Sequence, residues 1–173
     1  SLFFDNSTRE NYLFNSKING IEDADLILLL GTNPRFEATM LNARIRKAYV
    51  NNTTKIISLN DVGDLTYPYQ SLDGNTQTIK EITDNNSQLS KDILESQKPL
   101  IVFGESFLRL KSADYLFYSV KNFLLKNNKF TEEWNPINIL TSSAATVGSL
   151  DLDIIDPKNE VIDRLNENKY NLI

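Results

Sequence analysis

The chain contains no cysteine and no histidine. Iron–sulphur clusters held by thiolates are thereby excluded, as are the zinc and haem sites that need thiolate or imidazole. So are nucleophilic dyads and triads built on a histidine base or a cysteine nucleophile. Carboxylates remain, so a magnesium or calcium site is chemically open. Also missing is an apolar run long enough to span a bilayer. The densest patch, residues 24–31, is interrupted by Asp25 and ends at Gly31. Lysine and arginine number 18 against 23 acidic residues, and the net charge of −5 gives no long-range attraction to nucleic acid or anionic lipid. The opening Ser1-Leu2-Phe3-Phe4-Asp5 has neither a basic region nor a cleavage pattern, and reads as the interior of a longer protein.

What is present suits one globular domain: 173 residues, 40% hydrophobic and 24% charged. Residues 26–30 are continuously apolar and stop at Gly31, the pattern of a strand buried on both faces of a parallel sheet. Asn33 then supplies a helix cap and Pro34 a first helical position. Ala38, Leu41, Ile45 and Ala48 repeat at helical spacing, which predicts one helix from Pro34 to about Val50. Arg44, Arg46 and Lys47 would lie near its C-terminal end, where the helix dipole favours cations. A second strand is predicted over 55–59, completing a βαβ unit. Residues 60–75 read as loop, 76–83 and 90–96 as short helices, and 100–103 as a strand that again ends in a glycine, Gly104. A helix over 113–126, a strand over 137–140, a helix from Pro157 to Leu165 and the start of a strand at 170–173 complete the reading. The alternation predicts an α/β fold: a parallel Rossmann-like sheet with right-handed crossovers and helices on both faces.

Three features carry possible chemistry. Gly31 ends a strand just before a helix, where α/β folds bind anions. With one glycine the turn Gly31-Thr32-Asn33-Pro34-Arg35 meets neither the dinucleotide fingerprint nor the P-loop, and Pro34 removes an N–H. A tight turn feeding a capped helix is the favoured reading over a phosphate cradle. Asp61, after the second strand, is placed like a ribose-binding acid, but a lone acid there is more often a turn former. The basic cluster Arg35, Arg44, Arg46 and Lys47 reads either as a contact for a partner's carboxylates or as a solvated helix face. Glu22, Asp23 and Asp25 read as a solvated turn, and Phe117, Tyr118, Phe123, Phe130 and Trp134 as core. Paired asparagines at 51–52, 85–86 and 127–128, with plentiful lysine and isoleucine, point to an AT-rich genome such as an organelle's.

Several stretches together form a family pattern. They are residues 11–25, then Leu29-Leu30-Gly31-Thr32-Asn33-Pro34-Arg35-Phe36-Glu37, then Leu41-Asn42-Ala43-Arg44-Ile45-Arg46-Lys47, continuing through 64–67, 98–104, Trp134, 138–140 and 149–152. In this collinear order the chain resembles the large iron–sulphur subunit of respiratory complex I, the NADH:quinone oxidoreductase, known in mitochondria as the seventy-five-kilodalton subunit. The resemblance implies a segment of that subunit's C-terminal part, which is similar to molybdopterin oxidoreductases, and hence an incomplete piece of a molybdopterin-oxidoreductase-type domain. Active enzymes of that type have Asp-Pro-Arg after the second strand, where a guanine nucleotide binds. Here Asn60-Asp61-Val62 stands instead, which argues against a bound molybdopterin nucleotide.

The resemblance sets the remaining expectations. Residues 1–25 are the entry segment, 26–152 the Rossmann-like core, and 153–173 a helix and the start of a further strand. No catalytic, cofactor-binding or metal-ligating residue is expected in this chain. FMN and iron–sulphur clusters are expected on other segments of the complex. The implied role is a non-catalytic structural one in the peripheral arm, supporting NADH-to-quinone electron transfer coupled to proton translocation. The alternative is an active nucleotide- or molybdopterin-binding oxidoreductase domain. Implied partners are other peripheral-arm subunits, including a segment or polypeptide that carries the clusters as one part of a split subunit. Nucleic acid and direct membrane insertion are not expected. The implied location is the matrix side of the mitochondrial inner membrane, or the cytoplasmic face of a bacterial plasma membrane.

Overall fold

A computed structural model describes residues 2–84 and 87–152. Five parallel strands form one sheet: β1 (Leu26–Leu30), β2 (Lys55–Leu59), β3 (Gln70–Leu72), β4 (Pro99–Phe103) and β5 (Ile137–Ile139), in the order β3-β2-β1-β4-β5. β1 is central. Its Leu28 pairs with Ile57 of β2 on one side and Ile101 of β4 on the other. All five of its side chains are buried, as an unalternated apolar run requires.

The pleat sends alternate residues to two cores. Leu28, Leu30, Ile57, Leu59, Ile101 and Phe103 pack beneath α3 (Thr76–Ile82), α4 (Gln88–Glu95) and α6 (Ala113–Lys126). Ile27, Leu29, Ile56, Leu100 and Val102 pack against Leu41, Ile45 and Ala48 of α2 (Thr39–Asn52). Phe4, Tyr12 and Ile21, from the segment before β1, are buried in the same cores. The free edge of β5 is closed by that segment: Phe14 bridges Asn138 antiparallel, and Ile139 N–H donates to the Leu13 carbonyl at 2.9 Å. Arg9 adds a two-pronged ion pair to Asp151 at 2.9 Å, fixing the segment to α7 (Thr146–Asp151).

The single helix predicted from Pro34 is two. α1 (Pro34–Glu37) is one turn, and α2 begins after a break at Ala38, where φ is −153° and ψ is 75°. The break lets Glu37 fold back over its own N-terminus while Leu41, Ile45 and Ala48 turn to the sheet. α2 then runs through Asn52 and ends on Thr53 in the left-handed region. The three cations Arg44, Arg46 and Lys47 therefore lie mid-helix rather than at its end, and Arg44 and Lys47 both pair with Glu22. β3 occupies part of the predicted 60–75 loop. Its three residues are mostly polar, and its pairing with 57–59 leaves no apolar signature in the sequence. The one-turn α5 (Glu105–Leu108), α7 and the single-turn 3₁₀ segments Arg9–Asn11 and Gly20–Asp23 likewise carry no sequence signal, because each is too short to show a period. The helix predicted from Pro157 to Leu165 and the strand start at 170–173 lie outside the described residues.

Of the aromatic set, Phe117, Phe123 and Trp134 are buried, whereas Tyr118 is 41% exposed. Trp134 donates its indole N–H to the Pro99 carbonyl at 2.8 Å. Asp25 is no loose turn acid. It accepts from the Ser96 hydroxyl and from the N–H groups of Gln97 at 2.7 Å and Lys98 at 3.1 Å, tying the entries of β1 and β4 together. Partial burial raises its pKa, but these bonds outweigh that and hold it below the ordinary aspartate value of 3.8. A carboxyl depressed in the folded state stabilises fully above its unfolded pKa and loses that contribution as pH falls through the folded one. Asp25→Ala is therefore expected to lower stability by about 1 kcal/mol at pH 7, less than a fully buried charged pair would because the site is screened. Urea midpoints of the two proteins should converge as the pH drops below 3.8; a pH-independent difference would contradict this.

Candidate functional site

In a sheet ordered 3-2-1-4-5, ligands sit where neighbouring strands send their crossovers in opposite directions. Here that switch point lies between the C-terminal ends of β1 and β4, at Gly31 and Gly104. Both glycines are forced. Gly31 has φ +66°, and a Cβ on it would lie 2.4 Å from the backbone nitrogen of Phe107. A Cβ on Gly104 would lie 2.4 Å from the Gly31 carbonyl oxygen and 2.5 Å from the Thr32 Cβ. The two turns are stitched together by Gly104 N–H to the Leu30 carbonyl at 2.8 Å and Ser106 N–H to the Gly31 carbonyl at 3.3 Å. Phe107, 2% exposed, follows the stitch and packs edge-on against Phe103 with centroids 4.9 Å apart. The crevice at this point is thus closed by the chain itself.

The turn after β1 is similarly self-satisfied. The Glu37 carboxylate accepts from the Thr32 hydroxyl at 2.8 Å and the Asn33 N–H at 2.9 Å. Asn33 caps the Arg35 N–H at 3.1 Å and donates its amide to the Val62 carbonyl at 2.9 Å. Arg35 reaches across to Asp64, meeting its carboxylate and its carbonyl at 2.6 Å each. Hydrogen bonding from the Thr66 N–H, then from Arg35, holds the Asp64 carboxyl below the ordinary range.

Asp61 takes the turn-forming role. It accepts from the Tyr69 hydroxyl at 2.7 Å and the Gly63 N–H at 2.9 Å, and those two bonds lower its pKa. After β4, Glu105 accepts from the Ser142 hydroxyl at 2.5 Å and its N–H at 2.8 Å, and lies 3.3 Å from Arg109. Hydrogen bonding from Ser142, then from Arg109, depresses its pKa.

The rim above the sheet's C-terminal edge therefore carries Glu37, Asp61, Asp64 and Glu105. Its cations Arg35 and Arg109 are already paired to two of those acids. The sequence brought Gly31, Asn33, Arg35 and Asp61 to this edge correctly. It did not reveal that Glu37 bonds Asn33, that Asp64 pairs with Arg35 or that the Phe107 backbone abuts Gly31, nor did it bring Glu105 to the same edge. One signal was there to be used: the repeated strand-then-glycine pattern marks two turns that become neighbours once β1 and β4 pair. Arg44, Arg46 and Lys47 lie away from this rim, on α2.

A phosphate-bearing group needs free N–H donors and positive potential. The N–H groups at Asn33, Arg35 and Ser106 are spoken for, and the rim's two cations, Arg35 and Arg109, are each paired to a carboxylate. Among the described residues no helix is long and apolar enough to cross a membrane.

Comparison with known proteins places this architecture. A family model described as molybdopterin oxidoreductase matches residues 2–173. The NADH-ubiquinone oxidoreductase 75 kDa subunit of Reclinomonas americana is 38% identical over 146 residues, 84% of this chain and 21% of the relative. The mitochondrial NADH-ubiquinone oxidoreductase 78 kDa subunit of Candida albicans is 37% identical over 145 residues, 83% of this chain and 20% of the relative. The mitochondrial NADH dehydrogenase [ubiquinone] iron-sulfur protein 1 of Solanum tuberosum is 32% identical over 155 residues, 90% of this chain and 21% of the relative. The chain spans about a fifth of the length of these relatives. Fold and sequence agree: the chain belongs to the molybdopterin oxidoreductase family.

Proposed function

We propose that this chain is a non-catalytic structural segment of the large subunit of a complex I-type NADH:quinone oxidoreductase. It contributes packing surface in the peripheral arm, supporting electron transfer from NADH to quinone coupled to proton translocation. The observation that carries the reading is the switch point. Where this fold class places a nucleotide, the backbone of Phe107 lies against Gly31, and the rim carboxylates are hydrogen-bonded or ion-paired within the chain. The similarity to complex I subunits supplies the setting. The iron–sulphur clusters sit on other segments or polypeptides, since a chain with neither cysteine nor histidine offers them no thiolate or imidazole, and the complex I reading puts FMN there too. Two of these relatives are named as mitochondrial, which supports a mitochondrial location; the matrix face of the inner membrane follows from the complex I reading itself.

Two measurements test this. An affinity-tagged chain is expected to migrate with complex I on native gels, and migration as a free protein would overturn the reading. Elemental and nucleotide analysis of the purified chain is expected to return neither iron, molybdenum nor guanine nucleotide at one equivalent. A stoichiometric amount of any of them would instead support an active cofactor-binding domain.

A further inference from the structure

Two dipeptides in this chain set a side-chain carbonyl carbon beside an unhindered backbone nitrogen: Asn19-Gly20 and Asp73-Gly74. Glycine has no Cβ to block the approach to its own N–H. In both pairs the side chain can close a five-membered ring onto the glycine nitrogen, an intramolecular step that proximity favours. The fold treats the two pairs differently.

Asn19-Gly20 is held. Asn19 has φ −75° and ψ −27°, the right-handed helical region, at the start of the 3₁₀ turn Gly20–Asp23. Ile21 N–H donates to the Lys17 carbonyl at 3.2 Å, and Glu22 N–H to the Asn19 carbonyl at 3.3 Å. Ile21, 1% exposed, anchors this turn in the core. Ring closure needs ψ swung well away from the helical value, so the turn must open first.

Asp73-Gly74 is not held. Both residues are exposed, between the end of β3 at Leu72 and Asn75. Among the described residues the Asp73 carboxylate has no hydrogen bond or ion pair, and the Gly74 N–H donates to no acceptor. Asp61 and Asp64, in the preceding loop, show the contrast. Each accepts from the N–H two residues on, Gly63 at 2.9 Å and Thr66 at 2.7 Å, which commits its carboxylate to a turn. The chain on either side of Asp73-Gly74 is fixed. Asn60 N–H donates to the Leu72 carbonyl at 2.8 Å, and Asn75 caps α3 by accepting from Thr78 N–H at 2.8 Å. A Cβ on Gly74 would lie 2.1 Å from Asn60 Oδ1. The packing of this loop thus keeps a glycine at the position that leaves Asp73 reactive.

We propose that Asp73-Gly74 is a site of isoaspartate formation in the folded chain, and that the modification uncaps α3. The Gly74 nitrogen attacks the side-chain carbon of the protonated Asp73 carboxyl. A carbon–nitrogen bond forms, and the carboxyl's hydroxyl leaves as water with the proton of the Gly74 N–H. Water then opens the succinimide. Attack at one carbonyl restores aspartate. Attack at the other leaves the backbone running through the side-chain carbon, which is isoaspartate. One water is released and one consumed, with no oxidation or reduction. The product's backbone is longer by one methylene between Leu72 and Asn75, which pushes the Asn75 cap off Thr78. The site is separate from the switch point and does not rest on the complex I reading.

The test incubates the full tagged chain for several weeks in mildly acidic buffer, folded and in urea. Peptide mapping with fragmentation locates isoaspartate. An isoaspartate-specific methyltransferase with labelled S-adenosylmethionine reads the total. In the folded chain isoaspartate is expected at residue 73 at a rate within about tenfold of that in urea, because no structure has to open. At Asn19 the folded rate is expected to be more than about tenfold below that in urea, since two hydrogen bonds and a buried anchor must give way. Asp73→Glu leaves only the slower six-membered ring, and should remove the label at residue 73 without moving the melting temperature. Hydrogen exchange at Thr78 should be faster in the aged chain than in the fresh one. No isoaspartate at residue 73 in the folded chain, or a rate there more than about tenfold below that in urea, would overturn the proposal. So would equal rates at Asn19 in the two states, a label that survives Asp73→Glu, or unchanged exchange at Thr78 once residue 73 is converted.

Discussion

Replacing Gly31 with alanine is expected to destabilise the protein by about 3–5 kcal/mol, a large part of the roughly 5–15 kcal/mol that holds a domain of this size. Two effects add. At φ +66° an L-residue costs about 1–2 kcal/mol in backbone strain. The new Cβ would also lie 2.4 Å from the Phe107 nitrogen, where something must shift by about 1 Å. That neighbour is backbone, and Gly104 N–H and Ser106 N–H hold the adjoining turn down on Leu30 and Gly31. It has nowhere to go. Two other glycines separate the effects. Gly63 has φ +75° with nothing within 4 Å, so Gly63→Ala should cost only the backbone strain, about 1–2 kcal/mol. Gly104, at φ −92°, is unstrained but crowded, so Gly104→Ala reports the clash alone. Urea midpoints of the three variants measure this directly. Equal losses for Gly31→Ala and Gly63→Ala would show that the two turns do not abut as described.

This closure was only half legible in the sequence. The strands β1, β2 and β4 announce themselves because burial on both faces needs an unbroken apolar run. Asn33-Pro34 announces a helix start because capping chemistry is local. The break at Ala38 has no such signal: alanine is the best of helix formers, and what bends the chain there is the reach of Glu37 back to Thr32 and Asn33. Glu105 and Ser142 lie 37 residues apart in sequence and meet only because β4 and β5 pair. Glu22 likewise converts two cations of an expected solvated face into ion-paired groups, through a 3₁₀ turn too short to have a period. Local chemistry could be read from the sequence, while contacts made by tertiary pairing could not.

Phe103→Ala is expected to cost about 4 kcal/mol, within the range for a large aromatic removed from a packed core. Phe103 is fully buried at the C-terminal end of β4. Its ring lies edge-on to Phe107 at 4.9 Å and to Phe117 at 5.3 Å, and Phe117 in turn meets Phe3 at 5.8 Å. Truncation opens a cavity that rigid strands on one side and α6 on the other can collapse only in part. Phe103→Leu keeps most of the volume and should lose less than half as much. Tyr115→Ala, on the exposed face of α6, should change stability by no more than about 0.5 kcal/mol. The consequence reaches the switch point. Phe107, whose backbone abuts Gly31, is held from below by the Phe103 ring, so the alanine variant loosens the segment that closes the crevice. Hydrogen exchange should speed up first at Ser106 and Phe107, and only then in β1 and β2. If exchange rises uniformly across the sheet instead, Phe103 supports the core as a whole and has no special part in keeping the crevice shut.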